Sequence, residues 1–299
     1  INSWGIEMNQ IIGSIGLGVM GGSYASHLLD NKFTVYGVDP DQKNSTIFKS
    51  KGGILLNDTN LLIKKSDVII LSLPTVPIFK EVIENIVKSN FQKKQKILID
   101  MNTISFDDKL DAKSKLDNLN IKMIDAPVSG TGAQAKEKDL VIMSSGNKEI
   151  VDLCENIFLS IGRKNIYVGK FGNGIKFKLL ANLLVTVHNT VAAEALLLGK
   201  KAGLDPQMIY EVLSSGAGNS VMLDKRMPLM INKDYVPATA SMTIFLKDIE
   251  VIRDFLSSFN LNAPTFEAAA KIYDQAKDTI PKHYDTAAVY EQLKINNNS

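Results

Sequence analysis

Three groups of residues in this 299-residue chain combine types and spacings that could do chemistry. The first is Gly16, Leu17, Gly18, Val19, Met20 and Gly21, which follows the apolar run IIGSI and precedes a helical pattern. Glycines at these three places permit a tight turn, let main chain approach a pyrophosphate, and let helix pack closely on strand. The helix N–H groups and dipole then face the phosphates. Such a motif is weak by itself, because glycines in strand-to-helix turns are common for steric reasons. A second apolar run closes on Val38 and Asp39, about twenty residues further on, where a dinucleotide fold places an acid against the adenosine ribose. Asp39, Pro40 and Asp41 bring carboxylates and no arginine, so a 2′-phosphate would meet like charge. NAD is therefore expected over NADP, with Lys43 the nearest cation.

The second group lies in DAPVSGTGAQA, where Ser129, Gly130 and Thr131 bring hydroxyls and glycine-exposed N–H groups to a strand end. That chemistry could cradle a carboxylate, and the same composition also makes an ordinary turn. The third group is Lys178 and Asn182, one helical turn apart on one face. Loss of hydride from an alcohol carbon requires removal of the hydroxyl proton, and a desolvated lysine amine can take it. In reverse, the ammonium protonates the forming alkoxide. For the residues alone a solvated helix-face lysine competes with this reading, and Lys176, which projects elsewhere, is the natural control. His188, about three turns beyond Lys178, faces away from it and reads as a packing or interface histidine. It forms no metal-ligand spacing with His27 or His283, and a hydride transfer of this kind needs no metal.

These groups need elements to hold them. IIGSIG, FTVYGV, DVIILSL, KILID, IKMID and LVIMSS read as strands, alternating with helical patterns such as Met20 to Asp30 and Pro77 to Val87. The alternation predicts a doubly wound, mostly parallel sheet covered on both faces. Ligands of such sheets bind beyond the carboxyl ends of the strands. Leu73 and Pro74, and the turn from Asp100 to Thr103, are therefore expected to border the cofactor. After Gly169 the rhythm becomes helical. Gly172, Asn173 and Gly174 start one long helix that Gly203 ends, Asp205 and Pro206 open the next, and Met242, Phe245, Ile249, Ile252, Phe255 and Phe259 form a stripe on another. The expected fold is an α/β N-terminal Rossmann-type domain, residues 1–170, followed by an all-α domain, residues 171–299.

With 45% hydrophobic and 22% charged residues the chain can bury a substantial core, which excludes a disordered polymer. A net charge of +2, spread along the sequence, implies no attraction to nucleic acid or anionic lipid. Lys93, Lys94 and Lys96 read as solvated surface. The apolar stretch Leu179 to Gly199 is broken by Asn182, Thr186, His188, Asn189 and Glu194, so it reads as a buried helix and not as a membrane span. Cys154 has no partner cysteine and suits a packing role in a reducing, cytoplasmic compartment. INSWGIEMNQ has no secretory pattern. Residues 1–7 read in part as a remnant of expression, since Met8 immediately precedes the first strand.

GLGVMG, DAPVSG and the Lys178 to Asn182 helix, in this order and at these separations, resemble the β-hydroxyacid dehydrogenase family, whose members act on 3-hydroxyisobutyrate or tartronate semialdehyde. The resemblance spans essentially the whole chain. It implies two domains joined by a long interdomain helix, with an active site in the cleft between them. It assigns Lys178 as general acid/base, Asn182 as a substrate-orienting neighbour, and Ser129, Gly130 and Thr131 as a carboxylate-binding turn. It also implies cofactor contacts from Leu73, Pro74, Thr103 and Lys247, the last of which reads, by residue type alone, as solvated. The implied activity is hydride transfer between NAD and a small 3-hydroxy acid, resembling 3-hydroxyisobutyrate, or glycerate and tartronate semialdehyde, in a homodimer or homotetramer. Thr131 and Lys138 stand where the family often has glycine, and Ala181 with Asn182 replaces its adjacent asparagines, which bears on substrate and not on reaction class. A catalytically silent NAD-binding protein and an imine reductase-like enzyme are the alternatives. Lys178 argues against both.

Overall fold

The computed structural model describes residues 11–89 and 95–298. Lys93, Lys94, Met8 and residues 1–7 lie outside them. Six strands, β1 (Ile11–Ile15), β2 (Thr34–Val38), β3 (Ile54–Leu55), β4 (Val68–Leu71), β5 (Lys96–Asp100) and β6 (Ile121–Asp125), form one sheet in the order β3-β2-β1-β4-β5-β6. Every pairing in it is parallel. The order reverses between β1 and β4, the place where an open parallel sheet leaves a crevice at its carboxyl edge.

Both faces of the sheet are buried, as near-continuous apolar strands require. Ile12, Val68, Ile70, Ile97 and Ile99 pack into one cluster with Tyr24 and Leu28 of the helix Val19–Asp30. Ile15, Ile69, Leu71 and Leu98 point the other way, onto Phe79, Ile83 and Ile86 of the helix Val76–Lys88. Each such side chain contributes about 1.5–3 kcal/mol by leaving water. Thr75 and Ser105 cap the helices Val76–Lys88 and Phe106–Asp117, accepting main-chain N–H groups that would otherwise be unpaired.

LVIMSS does not extend this sheet. Three further strands follow, β7 (Val128–Ser129), β8 (Val141–Ser144) and β9 (Lys164–Tyr167), and β8 lies between antiparallel β7 and parallel β9 in a separate sheet. Only the short helix Gly132–Lys136 lies between β7 and β8, and such a connection favours an antiparallel return. Lys96 also departs from expectation. It is 3% exposed, and its Nζ donates to the Ser66 carbonyl at 2.5 Å, which satisfies an ammonium that cannot reach water.

The chain divides into two compact units between Lys178 and Leu179, inside the helix Asn173–Lys201. That helix starts at the glycine-flanked asparagine and is followed by Gly203 at φ +81°. Of its most apolar 18-residue window, 44% is buried in the protein, which suits a core helix better than a membrane span. The second unit is mostly helical among its described residues, with helices Pro206–Ser215, Val221–Asn232, Met242–Ser258, Pro264–Thr279 and Val289–Asn296 after the long helix, and an isolated antiparallel bridge between Ser241 and Asp285. Phe245 and Tyr273 pack in its core with ring centroids 5.0 Å apart and ring planes tilted by 59°. Asp285 ties the short turn before the last helix to Arg226, at 2.8 Å, with both side chains buried.

Candidate active site

The carboxyl ends of β2, β1, β4, β5 and β6 follow one another along one edge of the sheet and carry, in that order, Asp39, Gly16, Leu73, Asn102 and Asp125. Gly16 has φ +90°, and a Cβ on it would come within 2.1 Å of the Ser72 carbonyl oxygen. A Cβ on Gly21 would stand 2.0 Å from the Gly16 carbonyl oxygen. Both positions require glycine for the turn and its packing. Gly18 differs: nothing lies within 4 Å of where its Cβ would be, and it heads the helix Val19–Asp30 without a side-chain cap. Open space over an uncapped helix start fits the phosphate-binding part of a dinucleotide site.

Leu17 and Met20 turn their side chains into the core, whereas Val19 is 67% exposed. The main chain of Leu17 matters at the loop: its N–H donates to Asp39 Oδ2 at 2.6 Å. Asp39 Oδ1 accepts from the Asp41 N–H at 2.7 Å, so the carboxylate is held at the mouth of the glycine turn. Leu73 is fixed through its N–H, which donates to Asn102 Oδ1 at 2.5 Å, and Pro74 is exposed beside it. Thr103 is half-buried in the next turn.

Ser129 ends β7, half-buried. Gly130 has φ +137°, and a Cβ there would lie 2.5 Å from Leu140 Cδ2. Thr131 has a structural task, since it caps the helix Gly132–Lys136 in a reciprocal box with Gln134. Its N–H donates to Gln134 Oε1 at 3.1 Å while its hydroxyl accepts from the Gln134 N–H. Of the expected carboxylate cradle, this leaves the Ser129 hydroxyl and the Gly130 main chain with no such duty.

Lys178 is half-buried, one turn beyond Gly174 and Ile175. Those two N–H groups donate to Ser145 Oγ at 3.0 Å and to Asp125 Oδ2 at 2.8 Å, which anchors the helix start on the end of β6. Lys176 instead places its ammonium 4.5 Å from the centre of the Phe106 ring. In the second unit Asn182 and Lys247 meet at one acid. Asn182 Nδ2 donates to Asp248 Oδ2 at 2.9 Å, and Lys247 Nζ stands 3.2 Å from Asp248 Oδ1. Asp248 was visible in sequence only as the neighbour of Lys247, and its partnership with Asn182 joins residues 66 positions apart.

Beneath these turns sit Asp100, which opens the turn expected to border the cofactor, and Lys109, which no motif marks. Lys109 and Asp100 are wholly buried, and Lys109 Nζ lies 2.7 Å from Asp100 Oδ2 and 2.8 Å from Asp125 Oδ1. Burial opposes charge on Lys109, but the two carboxylates outweigh it and hold its pKa above the ordinary 10.5. Burial pushes Asp100 upward, and Lys109 offsets only part of that shift. Among the described residues no group of three His, Cys, Asp or Glu is placed to hold a metal ion. Cys154 is fully buried in the core, where desolvation pushes its thiol pKa up and keeps it unreactive.

Residues 11–169 match the family model for the NAD-binding domain of 6-phosphogluconate dehydrogenase. Residues 172–293 match that for the NAD-binding domain of NADP-dependent 3-hydroxyisobutyrate dehydrogenase. L-Threonate dehydrogenase of Cupriavidus necator is 31% identical over 94% of this chain and 95% of its own. The chain belongs to the β-hydroxyacid dehydrogenase family. A further relative in this family is 2-(hydroxymethyl)glutarate dehydrogenase of Eubacterium barkeri, 27% identical over 96% of this chain and 97% of its own. The solved structure of Mycobacterium tuberculosis 3-hydroxyisobutyrate dehydrogenase with L-serine superposes with a TM-score of 0.86, at 25% identity over 95% of this chain and 99% of that one. As a β-hydroxyacid dehydrogenase the protein is an oxidoreductase with an NAD(P)-binding domain, and the glycine turn with its open Gly18 fits that cofactor class.

Proposed function

We propose that this β-hydroxyacid dehydrogenase interconverts a small 3-hydroxy acid and its carbonyl form, with NAD preferred and Lys178 as the general acid/base. The observation that carries the reading is a half-buried lysine one turn beyond a helix start anchored by Asp125 and Ser145, in a chain whose glycine turn is open for a pyrophosphate. NAD, when bound, supplies the hydride acceptor. Gly16, Leu17, Gly18, Val19, Met20 and Gly21 would hold its pyrophosphate and Asp39 its adenosine ribose, with Leu73, Pro74, Thr103 and Lys247 as further contacts. The fixed carboxylate of Asp39 disfavours a 2′-phosphate by like charge, which supports NAD over NADP.

On the substrate side, Ser129, Gly130 and Thr131 would receive the carboxylate, with the Thr131 hydroxyl contributing least because it caps a helix. Lys178 takes the proton from the substrate hydroxyl as the carbon gives up hydride, so the carbonyl product leaves without an alkoxide having to form in isolation. In reduction the lysine ammonium returns that proton. Asn182, whose amide Asp248 orients, would align the hydroxyl. The substrates for which the relatives are named suit this scheme. 2-(Hydroxymethyl)glutarate carries its alcohol β to a carboxylate, and L-threonate carries hydroxyls at both the α and β carbons.

The test is a spectrophotometric screen of 3-hydroxyisobutyrate, glycerate, tartronate semialdehyde, L-threonate and 2-(hydroxymethyl)glutarate, each with NAD(H) and NADP(H). The expected outcome is turnover on at least one of them with NAD(H) preferred. Tight NAD binding without turnover on any would replace the reading with a catalytically silent binder, and reduction of a cyclic imine instead would replace it with an imine reductase.

A further inference from the structure

A continuous hydrogen-bonded chain runs beneath the carboxyl ends of β4, β5 and β6. From Leu73, whose N–H meets Asn102 Oδ1, it passes through Asn102 Nδ2 to Asp100 Oδ1 at 2.6 Å. Asp100 Oδ2 is then joined by the Lys109 ammonium to Asp125 Oδ1, and Asp125 Oδ2 receives Ser145 Oγ at 3.0 Å and the Ile175 N–H at 2.8 Å. Asp100, Lys109 and Asp125 have no exposed surface. The helix start presses directly on this chain, since a Cβ on Gly174 would lie 2.8 Å from Asp125 Oδ2 and 2.5 Å from the Met143 carbonyl oxygen.

A buried ammonium shared by two carboxylates is an inefficient source of stability, because desolvation of three charges offsets their attraction. What it supplies is geometry: three donors on one nitrogen hold two strand ends at fixed separation, and loss of the ammonium leaves two carboxylates buried without a counter-charge. One strand end, that of β5, holds the Leu73 turn through Asn102. The other, that of β6, holds the first turn of the helix on which Lys178 lies one turn further along the same side.

We infer that Lys109 is a positioning residue for the reaction: its buried ammonium, between Asp100 and Asp125, sets the helix start that carries Lys178 relative to the Leu73 turn. The inference rests on the proposed role of Lys178, and displacement of a reacting group by about 1 Å is enough to lose up to a hundredfold in rate.

The test uses Lys109→Met together with Asp100→Asn/Lys109→Met in the full chain. The double variant removes one acid with the ammonium and keeps the Asp100 Oδ1 contact to Asn102, so it remains informative if the single variant fails to fold. Each is measured with NAD and the best substrate among 3-hydroxyisobutyrate, glycerate and L-threonate, in the wild-type background and in a Lys178→Ala background. Hydrogen exchange at the Gly174 and Ile175 amides is recorded alongside. In the wild-type background kcat is expected to fall at least about tenfold with KM for NAD little changed. In the Lys178→Ala background the same substitutions should change turnover by less than about twofold, because a residue acting through Lys178 has nothing left to position. Exchange at Gly174 and Ile175 should accelerate. A folded variant with normal turnover, equal losses in both backgrounds, or unchanged exchange at the two amides would each overturn the inference. Should Lys178→Ala itself keep normal turnover, the proposed function fails separately, and the exchange measurement still decides whether Lys109 holds the helix start.

Discussion

At the scale of single residues, Lys178 and the three glycines carry the strongest expectations. Lys178→Ala should lower kcat by at least about a hundredfold and leave NAD affinity nearly unchanged, as removal of a general acid/base does. Lys176→Ala is the matched control, because its ammonium lies over the Phe106 ring, and steady-state kinetics with NAD titration of both variants separates the two lysines. The glycines divide differently. Gly16→Ala forces a side chain into φ +90° and against the Ser72 carbonyl, so thermal unfolding should show a destabilised protein. Gly18→Ala meets no protein atom within 4 Å, so the fold should hold while NAD binding weakens, and a melting curve with and without NAD reads both effects. The glycine spacing was legible in sequence, but only the surroundings of each Cβ distinguish the glycine needed by the fold from the one left for a ligand.

At the scale of elements, Lys109 joins the ends of β5 and β6. Lys109→Met leaves Asp100 and Asp125 facing each other in the interior, and denaturant unfolding at pH 7 should show a loss of about 3–5 kcal/mol. The pH dependence has a definite sign. Asp100 already has a pKa raised by burial, and loss of Lys109 removes the charge that lowers it. A carboxyl with a raised folded pKa gives its full stabilising contribution below the ordinary 3.8 and loses it as pH rises through the folded value. The difference between wild type and variant should therefore narrow as pH falls from 7 toward the ordinary carboxyl value of 3.8, measured by parallel urea titrations. This triad was half visible in the sequence. KILID and IKMID both end in aspartate, and parallel pairing sets Asp100 beside Asp125, an arrangement that demands a buried cation. The cation lies in the polar helix FDDKLDAKSKLD, where only its helical spacing from Ala112 and Leu116 sets Lys109 apart from Lys113 and Lys115.

At the scale of the whole molecule, the long helix has a row of exposed apolar residues. Leu184, Val191 and Leu198 are 53%, 53% and 71% exposed and recur every two turns, so they share one face. Such a face is costly in water, and the chain is expected to self-associate. Light scattering should give a multiple of the chain mass, and Leu184→Glu with Val191→Glu should reduce it to one chain without loss of helix content. A monomeric wild type at micromolar concentration would remove this expectation.

Local pattern by itself determined the parallel sheet, the glycine turn, Asp39 at the second strand, the long helix between Gly172 and Gly203, and the helix through Met242 and Phe245. Each of these depends on neighbours in the chain, through periodicity, turn chemistry and capping. Tertiary structure alone decided that LVIMSS lies in a second sheet, that Lys96 and Lys109 are buried, that Thr131 caps a helix, and that Asp248 unites Asn182 with Lys247. These depend on partners far apart in sequence, and a charged or hydroxylated side chain does not reveal whether its partner is water or another residue until the chain has closed around it.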